Sequence, residues 1–217
     1  MTHAEAYREL ESDRENVQRW FRHKTVAYRR QALKATKFPL VWWTEYTSPR
    51  KNRYLIGTIC IKRGYDNNNW ATCLALRREP RGYTVYMTRI SDDSDISKTV
   101  FLQHFYDRYR ERAHINLQGF DLIRHFADHM NVGIFIHDSR MAGRSVRYNG
   151  RDHTFVATDE GVLLGDMEEG IFIARTFITY DMATGIQKQQ LDKANGKLCS
   201  LEDVIREINI ERKRNKY

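Results

Sequence analysis

One histidine and two arginines, spaced four residues apart within the run SKTVFLQHFYDRYRER, are the residues of this chain best suited to chemistry. On a helix, His104, Arg108 and Arg112 rise one above another along a single edge. An imidazole with an ordinary pKa of about 6.5 moves protons at neutral pH, while guanidinium groups hold phosphate oxygens in a planar fork. The set therefore suits a phosphodiester site that works without a metal. Asp107 and Glu111 stand within pairing reach of the same arginines, so the spacing equally suits a solvated face of ordinary ion pairs.

The element that must position these groups is a helix over residues 97–112, with Ser97 or Asp95 as its N-cap and Phe101, Leu102, Phe105 and Tyr109 turned toward the core. A second helix over residues 118–130 places Phe120, Ile123, Phe126 and Ala127 on its apolar side, completing a mid-chain helical pair. Upstream, residues 2–36 contain no Pro or Gly, and Tyr7, Leu10, Val17, Trp20, Phe21, Tyr28 and Leu33 form an apolar stripe. That pattern predicts N-terminal helices. Its second half is basic, and Arg19, Arg22, Arg29, Arg30 and Lys34 are the candidates for contact with a phosphate backbone; a solvated face is the competing explanation.

Between these helices the period changes. PLVWWTEY, RYLIGTICIK, WATCLALRRE and GYTVYMTRI are rich in β-branched and aromatic residues and are separated by turn-forming segments, which predicts an antiparallel meander. Trp42, Trp43, Tyr46 and Tyr54 suit either base stacking or, more commonly, core and cross-strand packing. Further strands are expected in GIFIHD, SVRYNG, HTFVATD, GVLLGD and IFIARTFITYDM. The tail over residues 200–217 opens with Ser200 and Asp203 in capping-box spacing and reads as a C-terminal helix. The expectation is an α+β protein. Residues 1–95 form an N-terminal helical segment and meander, residues 96–217 a second α+β region, and the two pack as one unit.

With 217 residues the chain can build a substantial core without staples. Cys60, Cys73 and Cys199 form no CxxC pair and cannot all be paired within one chain, which favours a reducing, cytoplasmic setting. No apolar run approaches the ~20 residues needed to span a bilayer, so no membrane partner is expected. Thirty-six Lys and Arg against twenty-eight Asp and Glu leave a formal charge of +8, which directs the long-range field toward polyanions. GxxxxGK[ST], GxGxxG and GxSxG are absent from the sequence, leaving P-loop, dinucleotide and α/β-hydrolase chemistry unsupported.

The order of elements adds a resemblance. A helix bearing HFYDRYRER (residues 104–112), a second helix, and strands ending in ARTFITY (residues 174–180) resemble the barnase, EndoU, colicin D and RelE group of metal-independent ribonucleases. The likeness is to small toxin-type members with a helical H-x3-R-x2-E-R pattern and a final-strand Thr or Ser, and it spans residues 98–181. It implies transesterification of RNA: His104 as general acid or base, Arg108 and Arg112 on the phosphorane, Thr176 or Thr179 on a phosphate oxygen, and Tyr180 positioning a base or proton. Strand alternation sets Thr176 opposite both Phe177 and Thr179, which favours Thr176. No cofactor is required, RNA is the expected partner, and an inhibitor or antitoxin protein is a further one.

Two other readings stand beside this. His125 and His129, at i and i+4 with Asp121 and Asp128 nearby, have the spacing of two metal ligands, but Phe126 occupies the position where a zincin carries Glu. The second is a basic module from a phage or mobile element that binds nucleic acid or an acidic protein without catalysis.

Overall fold

The computed structural model describes residues 1–64, 69–88, 90, 98–129, 146–148, 151–157 and 161–182. Helices α1 (His3–Glu11) and α2 (Arg14–Lys34) open the chain. The meander follows as β1 (Leu40–Thr47), β2 (Arg53–Cys60), β3 (Asn69–Glu79) and β4 (Gly82–Thr88). Strand β5 (Thr99–Phe101) leads into α3 (Gln103–Arg112) and α4 (Gly119–His129). Four more strands, β6 (Val146–Tyr148), β7 (Arg151–Ala157), β8 (Val162–Glu168) and β9 (Ile171–Ile178), precede a short 3₁₀ turn at Tyr180–Met182.

The nine strands of the described residues join one sheet in the order β1-β2-β3-β4-β5-β9-β8-β7-β6. The fold is α+β, as the residue patterns require. The expected antiparallel sheet holds at every junction of described strands except β5–β9, which is parallel, so the sheet is mixed. Parallel pairing arises because β5 ends by turning into α3, and the chain comes back to that edge through β6, β7 and β8.

Both faces of the sheet are covered, and strict alternation sorts the residues between them. Tyr54, Ile56, Cys73, Ala75, Tyr86, Val100, Ile171 and Ile173 pack with Ala6, Tyr7 and Val17 of the N-terminal helices. Their neighbours in sequence, Leu55, Leu74, Leu76, Val85, Met87, Phe101 and Phe172, pack with Phe105, Tyr106 and Tyr109 of α3 and with Leu122, Ile123 and Phe126 of α4. Strands buried on two faces must be apolar at successive positions, which is why RYLIGTIC and TCLAL read as near-continuous runs.

The helical N-terminal stretch is two helices, α1 and α2. Asp13 lies at the break and is fully buried; its Oδ2 accepts hydrogen bonds from Ser48 Oγ at 2.6 Å, Asn52 Nδ2 at 2.8 Å and Tyr54 OH at 3.1 Å. The break lets α1 and α2 follow the twisted sheet separately, and Asp13 fastens the corner to the turn between β1 and β2.

The helix expected over residues 97–112 starts later, at Gln103. Thr99, Val100 and Phe101 are β-branched or aromatic and find partners on β4 and β9, so strand pairing prevails over the helical period there. Leu102 occupies the N-cap position and makes no side-chain cap, whereas Ser97 and Asp95 lie outside the described residues, as do the GIFIHD strand and the tail helix over 200–217.

The four aromatics of the meander serve packing. Trp42 stacks on Tyr28 with centroids 4.8 Å apart, Tyr46 stacks on Trp20 at 4.9 Å, and Tyr54 is buried. Trp43 lies flat across Gly57 and donates its indole N–H to Asp128 of α4. A Cβ at Gly57 would meet the Trp43 ring at 2.6–2.9 Å, so this crossing requires glycine.

Candidate functional site

Strand β5 stops at Phe101, opposite Ala174, and α3 runs on beside the part of β9 that β5 leaves without a strand neighbour. Arg112, in the last turn of α3, reaches that strand: it donates to the Thr176 hydroxyl at 3.2 Å and to the Phe177 carbonyl. A helix arginine and a final-strand threonine that stand 64 residues apart in sequence are thus brought into contact.

The other members of the set are placed differently. His104 is exposed near the start of α3, two turns from Arg112. Arg108 is half-buried and paired with Glu111 at 2.7 Å, the ordinary ion pair that the spacing also allowed. Thr179 follows the end of β9, and its carbonyl accepts from the Met182 amide at 3.1 Å within the closing turn. Tyr180 packs against the small cluster of Val162 and Ile178. Arg112 and Thr176 are in direct contact, while His104 stands at the other end of the helix.

A register shift lies beside this contact. Leu164 pairs with Thr176 but Gly165 pairs with Ala174, so Arg175 is an extra residue in β9. The bulge turns Arg175 to solvent, where it pairs with Asp166 and, at 3.1 Å, with Glu168. Without it, alternation would place Phe177 and Ala174 on opposite faces; with it both enter the same core.

His125, read from sequence beside His129, faces α3. Its Nδ1 shares a hydrogen bond with Tyr109 OH at 3.3 Å, and the Tyr109 ring stands edge-on to Phe177 with centroids 5.1 Å apart. Tyr109, His125, Arg112 and Thr176 therefore surround one end of α3. Helical spacing gave Arg112 and Tyr109 as neighbours three apart, but the addition of His125 depended on how α4 packs. The side chain of His129 lies outside the described residues. Among the described residues, no group of three His, Cys, Asp or Glu is placed to hold a metal ion.

The five basic candidates of the N-terminal region all lie on α2, and all are exposed. At about 100° per residue they occupy an arc of roughly 140°, opposite the buried Val17 and Tyr28. Sequence supplies a further signal: from Asn16 to Thr44 there is no Asp or Glu, against Arg19, Arg22, Lys24, Arg29, Arg30, Lys34 and Lys37. Val26 and Leu33, 48% and 50% exposed, lie within the same arc and give the basic face an apolar centre.

No helix among the described residues is long and apolar enough to cross a membrane. Compared with known protein families, curated proteins and solved structures, the chain matches none.

Proposed function

We propose that this chain binds RNA and grips the phosphate backbone with the outer face of α2. The observation that carries the reading is the exposed basic arc without an intervening acid, since Lys and Arg clustered on one helix face are the electrostatic footprint of a nucleic-acid contact. RNA, rather than DNA, follows from the resemblance of α3 and β9 to the ribonuclease group.

Salt dependence tests it. Five contacts to a single strand correspond to a slope of about −3.5 in log K against log salt, so a fourfold rise in salt should weaken binding ~130-fold. Replacing Arg22 and Arg30 together by Gln should bring the slope to about −2.1 and that loss to ~18-fold. Gln forms helix nearly as well as Arg, so α2 should persist. An unchanged slope in a variant with intact helical circular dichroism would return these cations to solvent and remove the reading.

A second reading, metal-independent RNA cleavage, is favoured by the Arg112–Thr176 contact. Its test is cleavage of structured RNA that persists in EDTA, yields cyclic phosphate ends, and falls by ~10² to 10⁴ in His104→Ala with RNA affinity retained. Full activity of His104→Ala would remove His104 from the mechanism; if His125→Ala then abolished cleavage, the proton-transfer role would pass to the cluster at the end of α3.

A further inference from the structure

A cavity of about 350 Å³ opens between α1 and the end of the sheet where β2, β3 and β4 meet their turns. It lies at the lower end of the range for small-molecule sites, about 300–1,000 Å³. Its lining divides by chemistry. Ala6 and Leu10 of α1, with Ala75 and Tyr86 of the sheet, supply an apolar and aromatic wall. Lys51 and Arg77 supply cations, against the carboxylate of Glu9, while Arg53 and Arg78 touch the rim from strand positions on the opposite face, shared with Leu76.

Not all of that charge is engaged. Arg53 pairs with Glu45 at 3.1 Å, and Arg77 stands 3.7 Å from Glu79, beyond hydrogen-bonding distance. Lys51 and Arg78 form no ion pair with a described residue. Arg77 shares its strand face with Ala75, the face that α1 covers, and its positive charge acts on the Tyr86 hydroxyl, opposing the rise that burial gives that group's pKa.

Lys51 adds an independent observation. Its φ is 66°, in the left-handed region that glycine or asparagine adopts at lower cost, and the turn that holds it there is fastened through Ser48 and Asn52 to buried Asp13. A lysine kept in such a conformation at the wall of a cavity that also holds Arg77 fits the pattern of backbone strain at ligand sites.

We propose that this cavity binds a phosphomonoester carried on a compact, flat organic body, the chemistry of a nucleoside monophosphate. The phosphate, at about −1.5 to −2 charge near pH 7, meets Lys51 and Arg77; the body lies against Leu10 and Tyr86. The proposal does not rest on the RNA reading, because the cavity and the outer face of α2 share no residue. The same chemistry has two sources, a free nucleotide and the phosphorylated end of a strand.

Calorimetric titration of the full chain tests it, with adenosine 5′-monophosphate, adenosine, inorganic phosphate and a 5′-phosphorylated oligoribonucleotide as probes. The monophosphate should bind at least tenfold more tightly than adenosine or phosphate. Lys51→Gln and Arg77→Gln should each weaken it about tenfold, the loss expected for one charge-assisted hydrogen bond. Glu9→Gln, at an exposed position that leaves the fold alone, should tighten it about threefold, and Arg22→Gln with Arg30→Gln should leave it unchanged. Oligonucleotide binding that is lost in Arg77→Gln identifies the strand end as the source; monophosphate binding without it identifies the free nucleotide. Absence of monophosphate binding, equal affinity for adenosine or phosphate, or affinity indifferent to both Lys51→Gln and Glu9→Gln would overturn the proposal.

Discussion

Replacing Asp13 by Ala should destabilise this protein more than any single surface change, and the structure sets the amount. The carboxylate is fully buried and accepts from three donors: Ser48 Oγ, Asn52 Nδ2 and Tyr54 OH. Ser48 and Tyr54 are 4% and 2% exposed, so without Asp13 their hydroxyls cannot turn to water; Asn52, half-buried, can. Two orphaned buried donors cost about 1–3 kcal/mol each, which places Asp13→Ala near 4 kcal/mol. Arg50 also faces this carboxylate, with Nε 3.7 Å from Oδ1, but its side chain is 58% exposed and Arg50→Ala should cost under about 1 kcal/mol. The decisive comparison is a double-mutant cycle. Tyr54→Phe should cost about 1 kcal/mol in the native background and recover about 1–3 kcal/mol after Asp13→Ala, because it then removes the orphaned hydroxyl. Urea unfolding at constant m measures both. A loss below about 1 kcal/mol for Asp13→Ala, or the same Tyr54→Phe cost in both backgrounds, would refute the assignment of this carboxylate as the clamp between the helical corner and the β1–β2 turn.

Other outcomes follow from the packing. Burial pushes the Cys73 thiol up to about 12 from an ordinary 9.0, so it stabilises the fold fully below pH 9, and that contribution is lost as pH rises toward 12; iodoacetamide at pH 8.5 should label Cys73, followed by mass spectrometry, no faster than the protein unfolds. Burial lowers the His3 pKa below 6.5 beside Tyr86, with Glu168 opposing. Its contribution is therefore present above pH 6.5 and lost as pH falls through the lowered value, and His3→Asn should narrow the difference in Tm between pH 7.5 and pH 5.5. Gly57→Ala should displace the Trp43 ring, cost about 1–3 kcal/mol and weaken the near-ultraviolet circular dichroism, whereas an unchanged spectrum would show that the crossing over Gly57 does not hold the indole.

The meander, the mid-chain helical pair and the α+β class were legible because each rests on a local period. Alternating or continuous β-branched runs specify β1 to β4, and Ile123, Phe126 and Ala127 specify the buried side of α4. The exposed basic arc of α2 was equally legible, since helical spacing and charge decide it without reference to the remainder of the chain. The break at Asp13 was not, because a buried carboxylate is tolerated there by donors 35 to 41 residues away. Nor was the start of α3: Thr99, Val100 and Phe101 continue the helical pattern but gain strand partners on β4 and β9. The candidate site divides in the same way. Sequence placed His104, Arg108 and Arg112 on one helix and allowed the local pair of Arg108 with Glu111, but tertiary packing joined Arg112 to Thr176, left His104 in solvent and brought His125 to Tyr109. A helix sets the order of its side chains through its own backbone hydrogen bonds, whereas the partner each one meets is decided by the short β5, whose early end lets α3 lie beside β9.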